Sequence, residues 1–236
     1  MLVGAGRVRR RVAQAAVLAA VLTGCSGAAD DDAKPSGSAS VSAGAADDGV
    51  TAVKSAGTIG AEGSACELPV TFDIAEDWKA KAVDAGQEKD EAGGSGSDSE
   101  RKELVQEIAD ALLHQGPVTA ACEVDAKPAG NIGFLRVWTG EPGEDDARAV
   151  LEAFVAAERN TSKAEYSSFD AGGGLAGVEV KYLYTSKLLE ETKEEAAMAV
   201  VTERGPVVIH LGGFDTEEHR QMLPAFELAK RTLRTA

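Results

Sequence analysis

The stretch VEVKYLYTSKLLEETKEEAAMAVVTERGPVVIHL, residues 178–211, decides the fold class of this 236-residue chain. From Val178 to Tyr184, apolar and aromatic residues alternate with charged ones, which is the pattern of a strand with one buried face. Two apolar runs, 196–202 and 207–211, predict two more strands, joined by a hairpin near Arg204. Strands in series that pair with their neighbours form an antiparallel sheet, so this stretch predicts the centre of one.

The segments on either side of this stretch predict helices that would cover the sheet. Apolar residues repeat at helical spacing over about 100–115, 144–160 and 216–234. Asp215 stands where an N-cap of the last helix would be. Pro224 lies inside that helix and predicts a kink or a fresh helical start there, because proline lacks the amide hydrogen that the helix needs.

Further strands complete the predicted domain. The sequence predicts strands over residues 68–74 and 132–138 and a weaker strand over residues 166–169. Residues 86–99 are rich in Gly, Ser and acids, which predicts a long exposed loop. The order of elements favours an α+β fold, in which a central antiparallel sheet has helices packed on both faces, as a single globular domain over 66–236.

The N-terminus has the layout of an exported lipoprotein. A cluster of arginines, Arg7 to Arg11, precedes the apolar run 12–22, which is too short to span a bilayer but suits a signal peptide. Leu22-Thr23-Gly24-Cys25 then resembles the lipobox of bacterial lipoprotein precursors. We therefore predict a signal peptide over 1–24 and a lipid on Cys25. The alternative is an ordinary cleaved signal with an incidental cysteine.

Composition after the signal peptide predicts a tethered, acidic, extracytoplasmic protein. Residues 25–65 carry almost no large apolar side chain, so they predict the lipidated cysteine and a flexible tether. Cleavage before Cys25 would remove four of 24 basic residues and leave 39 acidic ones, a formal charge of −19. Such a charge opposes binding to nucleic acid. We expect the domain to stand at the extracytoplasmic face of the cell membrane, anchored by its lipid.

The cysteine count predicts a disulfide. The chain has three cysteines, and lipidation of Cys25 would leave Cys66 and Cys122 as an even pair. Outside the cytoplasm such a pair is usually oxidised. Two cysteines without nearby histidines are a poor zinc site, so a disulfide is the preferred interpretation.

Several short motifs resemble those of a known group of proteins. They are Cys66–Phe72 leading to Asp77-Trp78, the strand Gly133–Val137, and the helical Leu223–Phe226 behind a final strand. Over 66–236 they resemble small actinobacterial lipoproteins, including the LpqN/LpqT group, which share the PsbP-like fold. The resemblance implies a central antiparallel sheet with helices on both sides. It implies no enzyme activity; PsbP-like domains elsewhere act as assembly or interaction modules.

Few residues are candidates for a metal site, a ligand contact or catalysis. His210, Asp215 and His219 would form a metal site if a strand end and a helix start converged, although a solvated pair is the commoner outcome of this spacing. Trp78 beside two acids would suit a sugar, although a tryptophan at a strand end is more often part of the core. No serine lies in a Gly-x-Ser-x-Gly motif, which marks a nucleophile elbow. No glycine-rich stretch lies directly between a strand and the N-terminus of a helix, as a phosphate-binding loop must.

Three possible functions remain open. The favoured one is a non-catalytic binding or interaction module at the cell envelope, with no cofactor and no metal, whose partner is an envelope protein or a small ligand. The alternatives are an envelope hydrolase whose site is not recognisable and a carrier of lipid or another small ligand. A carrier needs an apolar cavity, and an enzyme needs converging histidine and carboxylate groups.

Overall fold

The computed structural model describes residues 52–83 and 113–236, all of which lie in the second of two units of the chain, Asp47–Ala236. The described helices are α1 (Ala147–Ala157) and α2 (Thr216–Thr232). The strands are β1 (Ser55–Ile59), β2 (Val70–Ala75), β3 (Lys79–Ala82), β4 (His114–Gln115), β5 (Val118–Asp125), β6 (Gly133–Thr139), β7 (Thr161–Asp170), β8 (Ala176–Ser186), β9 (Glu191–Thr202), β10 (Gly205–Gly213) and β11 (Arg234–Thr235).

Antiparallel sheet dominates the described residues. The large sheet has the strand order β3-β5-β6-β10-β9-β8-β7, with β4 paired to β5 at one side. A three-stranded sheet of order β1-β2-β11 is separate from it. The predicted α+β class and antiparallel pairing are confirmed. The fold is more sheet-dominated than predicted, because only two helices stand among the described residues.

The two faces of the large sheet carry different hydrophobic clusters. In β9, Ala196, Met198 and Val200 belong to a cluster that includes residues of α2 and of the small sheet. Ala197 and Ala199, which alternate with them, belong to a cluster that includes residues of α1. The small alanine side chains of β9 let both layers approach the strand closely. Because this part of β9 is buried on both faces, its sequence is a continuous apolar run and not an alternation of apolar and polar residues.

A β-bulge in β5 divides that strand between the two clusters. Val118, Ala120, Cys122 and Val124 alternate in sequence and are all buried, which by itself suggests a single buried face. The pairing with β6 slips between Ala120 and Cys122, so residues before and after the slip face opposite sides of the sheet. The bulge thereby turns Cys122 toward the cluster that contains Cys66.

The predicted disulfide is present between Cys66 and Cys122, whose Cα atoms are 5.9 Å apart. Cys66 lies in the segment that precedes β2 of the small sheet, and Cys122 lies in β5 of the large sheet. Both cysteines are buried, and they lie in the same cluster as α2. The disulfide therefore links the two sheets through the core that they share.

The last helix excludes one of the two outcomes predicted at Pro224. A single helix continues from Thr216 to Thr232 through Pro224, so the predicted fresh start there is wrong. The N-cap is as predicted: the Asp215 carboxylate accepts a hydrogen bond of 2.9 Å from the Glu218 amide. Burial of residues such as Met222 and Phe226 against the sheet outweighs the one backbone hydrogen bond that proline cannot make.

The folded domain begins earlier than predicted. The predicted tether extended to residue 65, but β1 occupies Ser55–Ile59 and pairs with β2 along its length. Its side chains are exposed except for Ile59, so β1 is held by backbone hydrogen bonds and lacks the apolar signal that marks a strand in sequence. The predicted start at residue 66 is therefore corrected to a position before residue 55.

Other predicted boundaries also shift. The charged segment before residue 196 is part of β9, which begins at Glu191, and β7 extends well beyond the predicted 166–169. Residues 114–115, predicted as the end of a helix, form β4. The signal peptide, Cys25 and the loop at 86–99 lie outside the described residues.

Loss of the disulfide should lower stability without changing the fold. In the chain-entropy model, a crosslink that spans 56 residues stabilises by about 4 kcal/mol. We expect the Cys66→Ala/Cys122→Ala variant to lose roughly that much free energy of unfolding in urea. Because both cysteines are buried, the wild-type protein is unfolded in denaturant without reductant before alkylation, and intact mass should then find neither Cys66 nor Cys122 alkylated. Alkylation of both cysteines under these conditions would contradict the disulfide.

Candidate functional site

A chain of polar side chains runs beneath one end of α1. It consists of Glu158, Tyr182, His210, Glu195 and Lys193, here called the polar chain. The Tyr182 hydroxyl donates to Glu158 Oε2 over 2.7 Å. His210 Nε2 lies 2.8 Å from Glu195 Oε2, and Lys193 Nζ lies 2.7 Å from Glu195 Oε1. The alternation of β8, β9 and β10 places Tyr182, Glu195 and His210 on the same face as α1.

The geometry of the polar chain is not that of a catalytic relay. In a nucleophile–histidine–carboxylate triad, the two ring nitrogens contact different partners. Here His210 Nε2 faces both Glu195, at 2.8 Å, and the Tyr182 hydroxyl, at 3.3 Å. One nitrogen therefore meets both groups, and no proton can pass through the ring between them. The arrangement suits a structural network in which buried polar groups satisfy each other.

The charges of the polar chain are set by burial and by each other. Burial opposes ionisation of Glu195, but His210 and Lys193 outweigh it and hold the pKa of this carboxyl below its usual value. Burial raises the pKa of Glu158, against the effects of His210 and Tyr182. Burial and then the nearby Glu158 raise the pKa of the Tyr182 phenol, which therefore stays a neutral hydrogen-bond donor. Glu195 is the ionised centre of the network.

Lys193 ties the polar chain to the end of β10. Its amine donates to the Gly213 carbonyl oxygen over 2.6 Å as well as to Glu195. The same amine lies 5.5 Å from the centre of the Tyr184 ring. The exposed fraction of the Lys193 side chain is 23%, compared with 2% for Glu195. Its charge therefore offsets that of a nearly inaccessible carboxylate and holds two strand ends together.

His219 is buried in the first turns of α2, on the side of the other cluster. It is 3% exposed, and its Nδ1 has no hydrogen-bond partner. Burial lowers the pKa of His219 to about 4, against the opposing effects of Glu195 and Glu194. The imidazole is therefore neutral at pH 7. This histidine behaves as a core residue whose polar nitrogen is inaccessible.

His210, Asp215 and His219, the possible ligand contacts considered as a conditional metal site, do not converge. His210 Nε2 is engaged by Glu195, the Asp215 carboxylate caps α2, and His219 is buried in the core. Within 52–83 and 113–236, no three His, Cys, Asp or Glu side chains are placed to hold a metal ion. The conditional metal site at these residues is therefore corrected. The capping role of Asp215 follows from its place before the helix, whereas the burial of the His219 imidazole depends on tertiary packing.

Trp78, a predicted ligand contact, belongs to the core. It is only 4% exposed and lies in the cluster shared by the two sheets. It also lines a depression of about 280 Å³ together with Val53, Asn131 and Gln221. A ring so deeply buried cannot present its face to a sugar, so the structural interpretation of Trp78 replaces the ligand-binding one.

Two larger grooves lie at opposite ends of the large sheet. The first, here called the distal groove, has a volume of about 780 Å³ and lies between the start of α1 and the β7–β8 edge. Its lining includes Arg148, Phe169, Asp170, Leu175, Val178 and Val201. The second, here called the hairpin groove, has a volume of about 550 Å³ beside the β8–β9 turn and includes Tyr184, Leu189, Lys193 and Phe214.

Three hydroxyls in the lining of the hairpin groove, those of Ser186, Thr192 and Thr216, are engaged by a backbone amide or by another hydroxyl. Ser186 Oγ accepts from the Leu189 amide over 3.2 Å, and Thr216 Oγ1 accepts from the Glu194 amide over 3.0 Å. Thr192 Oγ1 lies 2.9 Å from Thr185 Oγ1. None of these hydroxyls has a base within hydrogen-bond reach among the interactions of the described residues. They stabilise the turn.

Sequence reasoning missed most of the polar chain. Glu158 lies in a predicted helix and Tyr182 in a predicted strand, and the sequence predicts no strand for the charged residues that include Lys193 and Glu195. The available signal was the continuation of the β9 alternation upstream: Glu195 shares its face with the buried Ala197 and Ala199. That spacing placed a carboxylate in the core.

The geometry defines a class: a sheet-dominated α+β domain with internally paired polar groups, open grooves and one disulfide. The chain belongs to a family described as uncharacterised lipoprotein, which matches residues 35–233. No curated protein matches it. Among solved structures, it is similar to the solution structure of cyanobacterial PsbP (CyanoP) from Synechocystis sp. PCC 6803. The identity is 11%, the TM-score is 0.43, and the match covers 77% of this chain and 99% of that one.

Membership in a lipoprotein family agrees with a membrane-associated, extracytoplasmic location. Within the described parts of the chain, no helix is long and apolar enough to cross a bilayer. The lipoprotein part of the sequence analysis is thereby confirmed at the level of the family.

Removal of the Glu195 charge should destabilise the domain far more than removal of its neighbour's. Glu195→Gln leaves Lys193 and His210 without their buried anion, so we expect a loss of roughly 2 kcal/mol in urea unfolding. Glu194→Gln is the matched control, because Glu194 pairs with Arg220 at the surface, where ion pairs contribute little. Equal effects of the two substitutions would contradict the structural role of the polar chain.

The buried His219 should make stability fall in mild acid. With a pKa of about 4 in the folded state and about 6.5 when unfolded, only the unfolded chain binds this proton between those values. Stability should therefore be retained above pH 6.5 and decrease by roughly 3 kcal/mol as the pH falls to 4. Urea unfolding from pH 7 to 4.5 measures this slope.

The variant His219→Leu isolates that contribution, since it removes the proton and keeps an apolar side chain where Nδ1 has no partner. We expect a flatter slope in His219→Leu than in the wild-type protein. Identical slopes in wild type and His219→Leu would show that another group causes the pH dependence.

Proposed function

We propose that this protein is a lipid-anchored, non-catalytic binding module at the extracytoplasmic face of the cell membrane. A lipid on Cys25 supplies the anchor, and the distal groove supplies the contact surface for an envelope protein or a small ligand. The family match to lipoproteins supports the anchor, together with the lipobox at 22–25. The motifs from Cys66 to Phe226 support a finer placement, in the LpqN/LpqT group of actinobacterial lipoproteins.

The observation that carries the binding role is the distal groove. Its volume of about 780 Å³ falls in the range of small-molecule sites, and its lining combines apolar side chains with a few polar ones. Phe169, Leu175 and Val178 supply apolar surface, and Asp170 adds a polar group at the rim. Arg148 is held in place by Glu152 at 2.6 Å and stacks over the Tyr166 ring at 4.4 Å.

The distribution of polar groups favours binding over catalysis. The histidine and carboxylates that most resemble a catalytic set, those of the polar chain, bond each other and line neither groove. A general base must reach the proton that it removes in a bound substrate. The distal groove holds one serine, Ser168, and its described lining contains no histidine to activate it.

A photo-crosslinker in the distal groove tests the proposal. Ala176 lines this groove and is exposed, so p-benzoylphenylalanine at position 176 should capture a specific envelope partner or ligand in intact cells. The same residue at position 157, an exposed alanine on α1, is the matched control. Purification under denaturing conditions and mass spectrometry identify the adduct. We expect an adduct at 176 that is absent at 157.

The anchor is tested in the same cells. Cys25→Ser should abolish incorporation of labelled palmitate and move the protein out of the membrane fraction. Retention of palmitate by Cys25→Ser would refute the anchor. No adduct at position 176, together with turnover of an envelope substrate that His210→Ala abolishes, would replace the binding role by the hydrolase alternative.

A further inference from the structure

The exposed apolar side chains of the domain are gathered at one end. Among residues 52–83 and 113–236, the large hydrophobic residues that stand exposed are Ile132 (54%), Leu188 (91%), Leu189 (57%) and Phe214 (59%). Single exposed hydrophobic residues are ordinary on a soluble protein. Their concentration at one place is not, and such patches mark interaction surfaces.

These four side chains form one surface, here called the apolar end. The Phe214 amide donates to the Ile132 carbonyl oxygen over 3.0 Å, so these two residues are neighbours at the paired ends of β10 and β6. Leu189 and Phe214 line the hairpin groove together. Leu188 precedes Leu189 in the turn between β8 and β9, beyond the edge of that groove. Backbone pairing therefore fixes all four at the same edge of the sheet.

The first described residues of the chain lie at this same end. Val53 and Lys54, close to the first described residue, line the depression that also includes Asn131 and Gln221. Asn131 precedes Ile132 of the apolar end, and Gln221 lies little more than one turn beyond the start of α2 at Thr216. The polypeptide that continues upstream from residue 52 therefore starts from this end of the domain.

The charges around the apolar end determine which lipid headgroups it can contact. Lys187 is adjacent to Leu188, but Glu190, Glu191 and Glu217 are also close by in the turn or in the groove lining. An excess of acids opposes contact with anionic headgroups. A zwitterionic surface is compatible with this rim, because its attraction for the protein depends on the burial of apolar side chains.

We propose that the apolar end is a bilayer-contacting surface, which inserts Leu188, Leu189 and Phe214 at the level of the lipid headgroups and orients the distal groove away from the membrane. This inference rests on the lipid anchor of the proposed function. The anchor raises the effective concentration of the domain at the surface, so a small apolar contact suffices to fix its orientation. The partner of this surface is zwitterionic lipid.

Tryptophan quenching by brominated lipid tests this orientation. The full lipidated chain is reconstituted in phosphatidylcholine vesicles with or without brominated acyl chains, which quench tryptophan that reaches them. The native Trp78 and Trp138 are 4% and 3% exposed, so they supply a baseline inside the domain. Leu188→Trp should add emission that the brominated vesicles quench by about half or more. Phe214→Trp is a second reporter of the same surface.

The matched control is Glu203→Trp, in the exposed turn between β9 and β10 at the opposite end of the sheet. The twelve residues of β9 separate it from the apolar end by about 40 Å, at roughly 3.3 Å per residue. We expect no added quenching there. Quenching that is equal at positions 188 and 203, or absent from both reporters of the apolar end, would overturn the inference.

Flotation of the same vesicles separates this inference from the proposed function. A wild-type chain that floats with the vesicles, while Cys25→Ser does not, supports the anchor whatever the quenching shows. A chain that floats without quenching at 188 and 214 retains the anchor and refutes the contact surface. A lipidated chain that fails to float refutes the anchor on which the inference rests.

Discussion

Burial of β9 and β10 on both faces is the constraint on which the rest of the structure depends. A strand that is apolar on both sides needs a covering layer on each, and the two clusters show how this chain meets that need. One layer is α1. The other is α2 together with the small sheet, which the Cys66–Cys122 disulfide fastens to the large one. The bulge in β5 is part of the same solution, because it turns Cys122 to the side where its partner lies.

The polar chain is the main exception to an apolar interior, and its chemistry explains why it is tolerated. Buried carboxylates are costly unless they are paired and hydrogen-bonded. Glu195 meets both conditions through His210 and Lys193, and Lys193 continues to the Gly213 carbonyl at the domain's edge. The network therefore fixes the ends of β9 and β10 relative to each other. That rigid edge supports the exposed Phe214, which follows β10 directly.

The two ends of the sheet differ in ways that suit a tethered protein. One end has the distal groove, with mixed apolar and polar lining, and the other has the apolar end and the departure of the chain toward Cys25. Antiparallel pairing produces this polarity, because it places the β8–β9 turn and the β9–β10 turn at opposite edges. The binding role that we propose uses the first of these ends, and the bilayer contact that we propose uses the second.

Much of this could be read from the sequence, because its signals are local. The lipobox, the alternation in β8, the apolar runs of β9 and β10, the Asp215 cap and the even pair of cysteines each depend on neighbouring residues. They predicted the class of protein, the antiparallel sheet, both described helices and the disulfide. Tertiary contacts decided the other features. These are the pairing of the exposed β1, the continuation of α2 through Pro224, the burial of Trp78 and His219, and the contacts of the Tyr182 hydroxyl with Glu158 and His210. These features depend on packing between residues that are far apart in the sequence. The surface that this packing buries outweighs local conformational preferences, and no local pattern in the sequence records it.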